Sequence, residues 1–322
     1  MTVSIVVPMY NAERYIERCA LSLFKQTYKD LQFIFIDDCS TDATVEHLRM
    51  VIDRFPERQP QVVLKLLESN GGVSHARQLG LDAATGEYVA QIDADDYIAL
   101  NYVQSMVAAA TEGDCDIVVC DYVYVYRSSQ KQVVVNSPND TLQCLARIIS
   151  GQMHAGFMNK LIRRSLYVEN HLAMVPGLNM LEDKTMMVKV FDLAKNVKYL
   201  SLPLYFYDKT NASSATSKAK AKQLVYHSMA WNEIEQYFLN RDLPEIISES
   251  IEFFRIGVLG SILYYSDIHN HQYSRTLIRR PSFKSIRRHP AIPVNYKLIL
   301  TLYSLRASWL VALLRFLRQY AN

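Results

Sequence analysis

Four short apolar runs, each followed by a polar cluster and then an amphipathic helical stretch, constrain the first 120 residues more than any other feature. The runs are "VSIVV" (3–7), "LQFIFI" (31–36), "VVLKLL" (62–67) and "YVAQI" (88–92). They are short and apolar almost without a break, the pattern of strands buried on both faces. Between them lie stretches with helical spacing of apolar residues. In "NAERYIERCALSLF" these are Ile16, Cys19, Ala20, Leu23 and Phe24; in "STDATVEHLRMVIDRF" they are Val45, Leu48, Ile52 and Phe55. "GVSHARQLGLDAA" reads as a third helix. Strands alternating with helices predict an α/β fold with a mainly parallel sheet flanked by helices. In such sheets ligands bind beyond the C-terminal ends of the strands. Four polar clusters fall there: "PMYNAE", "DDCSTD", "ESNGG" and "DADD".

After residue 121 the alternation loosens. "DYVYVYR" and "KQVVVN" read as antiparallel strands, 141–150 and "LEDKTMMVKVFDLA" as helices, and "VKYLSLPLYFYD" as two short strands. "KTNASSATSKAKAK" reads as a loop or linker, and 220–265 as helix. With 322 residues, half of them hydrophobic and 21% charged, the chain has material for one large domain and a smaller region. The expected division is 1–215, in halves 1–120 and 121–215, followed by a helical, basic region 216–322. The five cysteines form no CxxC pair, so buried reduced thiols are expected rather than zinc ligands or disulfides. The N-terminus enters a strand at once without a basic and apolar leader, which predicts a cytoplasmic chain.

The first loop, "PMYNAERY", has no glycine, and no Walker loop is present. A backbone nest therefore does not neutralise the phosphates of a bound nucleotide. Asp93, Asp95 and Asp96 crowd three carboxylates at a strand end. Mg2+ or Mn2+ takes one or two carboxylates plus substrate phosphates, and an Asp-x-Asp pair on extended chain points to one side. Read alone, the same acids also suit a solvated cap and turn; their place after a strand of a parallel sheet favours the cation.

"VSIVVPMYNAERYIERCALSLFKQTYKDLQFIFIDDCSTDAT", "SNGGVSHARQLGLDAATGEYVAQIDADD" and "LEDKTM", in this order, resemble the family 2 glycosyltransferases of the GT-A fold over roughly residues 1 to 210. The resemblance implies a nucleotide-sugar donor, usually a UDP-sugar, a divalent metal (Mn2+ or Mg2+) and inversion at the anomeric carbon. It places Pro8, Tyr10, Asn11 and Glu13 in the first nucleotide loop, with Tyr10 stacking on the base. Asp38 would hydrogen-bond the base, and Asp37 would be structural. Gly71, Gly72 and Arg77 would close over the nucleotide. Asp95 is the expected direct metal ligand, Asp93 lies nearer the ribose, and Asp96 is a ligand or stands behind the ligands.

An inverting transfer needs a base for the acceptor hydroxyl. Glu182 and Asp183 open a helix, where acids are also favoured by the helix dipole. The resemblance makes Asp183 the catalytic base and Glu182 an acceptor-side contact. Lys160 fits a position near the acceptor, although a solvated lysine reads equally well. Lys209, or a hydroxyl beside it, is a candidate donor to the diphosphate. His75 and His154 read as structural or acceptor-side. No histidine falls in the late loop where some relatives supply a metal ligand.

From 268 to 322 there is no Asp or Glu, but ten Lys and Arg. "YKLILTLYSLRASWLVALLRFLRQY" places Lys297, Thr301, Ser304, Ser308, Arg315 and Gln319 on one helical face. Arg306 splits the apolar run below a spanning length. A basic amphipathic helix lying on an anionic membrane is expected, with packing on the protein's own core as the alternative. No nucleic-acid motif accompanies the basic run. The function expected is transfer of a sugar from a nucleotide sugar to a cell-surface glycan or lipid-linked acceptor, at the inner face of the membrane. A metal-dependent phosphohydrolase and a non-catalytic nucleotide-sugar or membrane-binding protein are the alternatives.

Overall fold

The computed structural model describes residues 1–211, 220–265, 274–307, 310–311 and 314. They fall in two compact units, 1–144 with 156–214, and 145–155 with 215–322.

The first unit is built on a nine-stranded sheet. Its first strands and helices are β1 (Val3–Met9), α1 (Ile16–Phe24), β2 (Leu31–Asp37), α2 (Thr44–Asp53), β3 (Val62–Leu66), α3 (Val73–Ala83) and β4 (Tyr88–Gln91). β1 pairs in parallel with β2 and with β4, and β2 pairs in parallel with β3. The four expected strands therefore form one parallel group, and the α/β architecture flanked by helices is present. The chain continues through β5 (Tyr97–Ile98), α4 (Tyr102–Glu112), β6 (Ile117–Val125), β7 (Gln130–Val133), α5 (Thr141–Ser150), β8 (Lys160–Arg163), α6 (Ser165–Glu169), α7 (Glu182–Leu193) and β9 (Val197–Asp208). The order across the sheet is β3-β2-β1-β4-β8-β6-β9-β5, with β7 on β6.

Two elements differ from expectation. β8, which the sequence reading left unassigned, pairs antiparallel with both β4 and β6 and joins the two halves of the sheet. "VKYLSLPLYFYD" is one strand, not two. Cys120 faces Leu200, Asp121 faces Pro203 and Tyr122 faces Tyr205, so β9 bulges around Pro203, which has no N–H to give the ladder.

The core packs β1, β2, β4 and β6 against α1 and α4, with Phe24 edge-on to Phe33 and Phe35. On the other side α3 lies so close to β1 that a Cβ on Gly80 would overlap Val6 Cγ1. Cys19, Cys115, Cys120 and Cys144 are buried and Cys39 is partly exposed.

The second unit includes α8 (Lys220–Phe238), α9 (Glu245–Tyr265), α10 (Phe283–Arg288) and α11 (Val294–Ser304). α9, α10 and α11 share a core of Ile256, Leu259, Leu263, Ile286, Ile299 and Leu300. Arg255 on α9 is buried, bound by Glu252 and by the carbonyls of Leu277 and Arg279. Among the described residues no helix is long and apolar enough to cross a membrane. The continuous helix expected over 296–320 is not formed. α11 stops at Ser304, Arg306 adopts φ 63°, and the N–H groups of Arg306 and Ala307 donate to the carbonyls of Tyr303 and Leu302. Those two bonds are a Schellman termination, which turns the chain out of the helix. Ser308, Arg315 and Gln319, and the loop expected at 212–219, lie outside the described residues.

Gly80→Ala overpacks the α3–β1 contact and is expected to destabilise the chain by about 1–3 kcal/mol. Urea unfolding followed by circular dichroism checks this.

Candidate active site

The loops after β1, β2, β3 and β4 are tied to one another by side chains from the expected polar clusters. After β1, Asn11 turns the chain at φ 49°, and its Oδ1 accepts the N–H of Thr41. Glu13 Oε2 accepts the N–H of Ala43, while Asp42 Oδ2 accepts the N–H of Glu13. Asn11 and Glu13 thus latch the first loop to the second. Pro8 is buried within β1, opposite Ile36, in the stretch beyond β4's register where its missing N–H breaks no ladder bond. Asn11 and Glu13 lie in the first loop itself, where they were expected, and Pro8 in the strand that enters it. Tyr10 is half exposed at the tip of the loop, as a stacking residue must be.

Asp38 also has a different local task. Its Oδ1 accepts the Gly71 N–H at 2.7 Å and its Oδ2 accepts the Gly72 N–H at 2.8 Å, and the residue is 3% exposed. A carboxylate with both oxygens on backbone amides fixes the entry to α3. Gly72 has φ 85° and lies against Asn179, whose side chain leaves no room for a Cβ. Ser74 donates to the carbonyl of Leu178. The segment before α7 is therefore packed onto the start of α3. Asp37 is structural: it accepts the Ser40 N–H at the end of β2.

Arg77 joins the two sets of acids. One terminal nitrogen donates to Asp93 Oδ1 at 2.8 Å and the other to Gln91 at 3.0 Å; Nε lies 3.5 Å from Glu182. The guanidinium is buried and stacked over Phe157 at 5.0 Å. Asp93 and Glu182 hold its pKa above the ordinary arginine value despite burial. Glu182, buried and next to Asp183, is pushed up to about 7, with Arg77 opposing the rise. Asp183 stands in the first turn of α7, partly exposed, and its Oδ1 accepts the Lys184 N–H. Lys160 is not solvated. It is 1% exposed and donates to Gly156 O and Asn159 Oδ1. Burial lowers its pKa to about 8, with Asp183 the principal opposing charge.

The three acids after β4 do not converge. Asp96 turns into the protein, where Tyr205 Oη donates to its Oδ2 at 2.6 Å and Asp208 N to its Oδ1 at 2.8 Å. With both oxygens taken and 1% exposure, it is not placed as a metal ligand. Asp93 and Asp95 remain at the surface of the cluster. Asp95 Oδ2 accepts from Asn211 at 2.9 Å, and burial together with the Asp93 charge raises its pKa. Arg18 on α1 donates to the Asp95 carbonyl at 2.7 Å and to Asp208. The cluster therefore holds Asp93, Asp95, Asp96 and Asp208 against Arg18 and Arg77, a surplus of negative charge. Two carboxylates with excess charge suit a divalent cation that takes its remaining ligands from donor phosphates. Among the described residues there is no group of three or more metal-binding side chains, so a closed protein cage is absent.

Arg18, Asn211, Tyr205 and Asn179 were not reached by the sequence reading. Asp208 ends a strand in "YFYDKTN", a signal of the same kind as "DADD". Lys209 lies over the rings of Tyr207 and Tyr124, at 3.9 and 4.8 Å. His75 is exposed on α3 beside Gly71.

Residues 4–169 match the family model described as glycosyl transferase family 2. The chain is 29% identical over 259 residues to the protein described as putative glycosyltransferase EpsH of Bacillus subtilis, covering 77% of this chain and 72% of that one. It is 27% identical over 255 residues to the poly(ribitol-phosphate) beta-N-acetylglucosaminyltransferase TarS of Staphylococcus aureus, covering 78% of this chain but only 43% of TarS. Residues 1–349 of TarS in complex with UDP-GlcNAc superpose with a TM-score of 0.69 at 22% identity, covering 94% of this chain and 91% of that one. At that identity the likeness shows the fold, a GT-A glycosyltransferase.

The buried charge of Lys160 fixes a pH dependence. Its pKa is lower folded than unfolded, so below about 8 the folded state carries a penalty, which disappears as pH rises toward 10.5. Lys160→Met lacks that term. Its stability advantage over the parent is expected to shrink by up to about 3 kcal/mol across this window. Urea unfolding of both proteins at the two ends of the window measures it.

Proposed function

The chain belongs to glycosyl transferase family 2, and from that premise we propose that it transfers a sugar from a UDP-sugar to a hydroxyl of a growing cell-surface glycan or lipid-linked acceptor, with inversion at the anomeric carbon. The observation that carries this reading is the placement of Arg77 between Asp93, at the donor edge of β4, and Glu182, next to the candidate base Asp183. TarS, a relative with the same fold, binds UDP-GlcNAc, which supports a UDP-linked donor.

In this reading Tyr10 stacks on the base, and Asp38, Asn11 and Glu13 hold the loops that form the nucleotide's walls. Asp93 lies toward the ribose and, with Asp95, would hold Mn2+ or Mg2+. When bound, the cation supplies neutralisation of the charge that develops on the departing diphosphate. Arg18 and Asn211 fix Asp95 through its carbonyl and carboxylate. Asp183 takes the proton of the acceptor hydroxyl as that oxygen bonds to the anomeric carbon and the bond to the diphosphate breaks. Glu182 and Lys160 shape the acceptor side. Such an enzyme would work at the inner face of the cell membrane, where a lipid-linked acceptor is within reach. Asp93, committed to Arg77, is not poised as a phosphohydrolase nucleophile.

Asp183→Asn is expected to lower turnover of a nucleotide sugar by roughly 10²–10⁴-fold. It should leave intact the rise in thermal midpoint that UDP and Mn2+ give the parent protein. UDP release and thermal shift, run on one preparation, measure both. Full turnover in the variant contradicts the assignment of the base.

A further inference from the structure

We propose that the outward face of α10, α11 and the turn between them is a docking surface for an anionic lipid bilayer. The proposal deepens the membrane-side reading given above, but it rests on the second unit alone and moves the contact from the terminal helix to a different part of the chain.

A surface helix normally presents its polar face to water. α11 does not. Ile299 and Leu300 point into the core shared with α9, and Tyr296 and Tyr303 lie on that side. At 100° per residue, Val294, Leu298 and Leu305 lie within about 40° of one another on the opposite side. They are 82%, 52% and 68% exposed. α11 is therefore apolar on both faces. The inner face has a partner in α9, packed closely enough that a Cβ on Gly260 would meet Tyr296 and Leu300.

α10 repeats the arrangement on a shorter helix. Ile286 enters the same core, whereas Phe283 is 60% exposed. Around it Lys284, Arg287 and Arg288 are exposed, and the linking turn exposes Pro290, Ala291 and Pro293. Because Ile286, Ile299 and Leu300 bury into one cluster on α9, the opposite faces of α10 and α11 both turn away from α9. Arg306, exposed in its left-handed turn, adds a cation beyond the end of α11. No Asp or Glu occurs from 268 to 322, and among the described residues the carboxylate drawn to α10 is Glu249, 3.0 Å from Arg288.

Exposed apolar side chains interleaved with exposed cations are the chemistry of an interfacial membrane segment. The apolar groups enter the acyl boundary while Lys and Arg meet anionic headgroups. Charge complementarity selects this occupant over a second copy of the chain, whose identical face would set cation against cation.

The test is co-sedimentation of the full chain with vesicles of phosphatidylcholine containing about one quarter phosphatidylglycerol, against pure phosphatidylcholine. Binding is expected to the anionic vesicles only, and to be lost at an ionic strength of ~1 M. Lys284→Glu with Arg287→Glu, and separately Phe283→Ser with Leu298→Ser, are each expected to lower partitioning by roughly tenfold or more. All four residues are exposed, so both variants should keep the parent's thermal midpoint. Equal binding to neutral vesicles, or unchanged binding by both variants, overturns the proposal. Binding abolished by removal of 308–322 but insensitive to the four substitutions assigns the contact to the terminus and also overturns it. So does concentration-dependent self-association that Leu298→Ser abolishes while vesicle binding persists, or loss of vesicle binding to competing duplex DNA that the charge reversal alone relieves. Thermal shift by UDP and Mn2+ without vesicles reports separately on the nucleotide site, so failure of either reading is distinguishable.

Discussion

One buried guanidinium organises this site. Arg77 lies on α3, yet its contacts are the acid at the end of β4 and the acid that opens α7, nearly ninety residues further along the chain. A charge this deep is tolerated only with partners, and removing one partner of such a group typically costs 3–5 kcal/mol. The same pairing that makes Arg77 acceptable inside the protein also holds Asp93 and Glu182, the proposed donor-side and acceptor-side acids, at a fixed separation. Glu182, pushed up to about 7 by burial and by Asp183, makes the same point from the carboxylate's side. Its ionised form depends on the arginine beside it.

A second constraint lies in how the acids after β4 are divided. Asp96 is spent on Tyr205 and the amide of Asp208, which fastens this loop to the end of β9. Arg18 ties Asp208 and the carbonyl of Asp95 to α1. Three elements far apart in sequence thus hold Asp95 at the sheet edge. Repulsion among the acids is offset in part by Arg18 and Arg77, and the remaining surplus is what a divalent cation and its phosphates would meet. A comparable economy governs Asp38, Asn11 and Glu13, whose polar atoms tie together the loops after β1, β2 and β3.

The parallel half of the sheet was legible because burial on both faces writes itself as apolar runs, and the strand ends then marked where to look for a site. What a particular carboxylate does there was not legible. "DADD" tells that three acids are adjacent, not that Asp96 points inward, because that depends on Tyr205 and Asp208 more than a hundred residues away. Arg18 was hidden for the same reason: on a helical wheel it is one more surface cation. β8 escaped notice because two of its four residues are basic, although Lys160 is buried. The proline bulge in β9 looked like a strand break. In the tail, periodicity described the face correctly as far as Ser304, but a Schellman turn at Arg306 is set by backbone geometry that side-chain spacing does not encode.

The central claim, that Arg77 couples the donor-side and acceptor-side acids, is tested most directly by two double-mutant cycles in folding stability, Arg77→Met with Asp93→Asn and Arg77→Met with Glu182→Gln. The account predicts a coupling of roughly 1–3 kcal/mol in both cycles, as expected of groups in one buried network. Additive effects in either cycle would mean that the guanidinium serves only one side, and would contradict it.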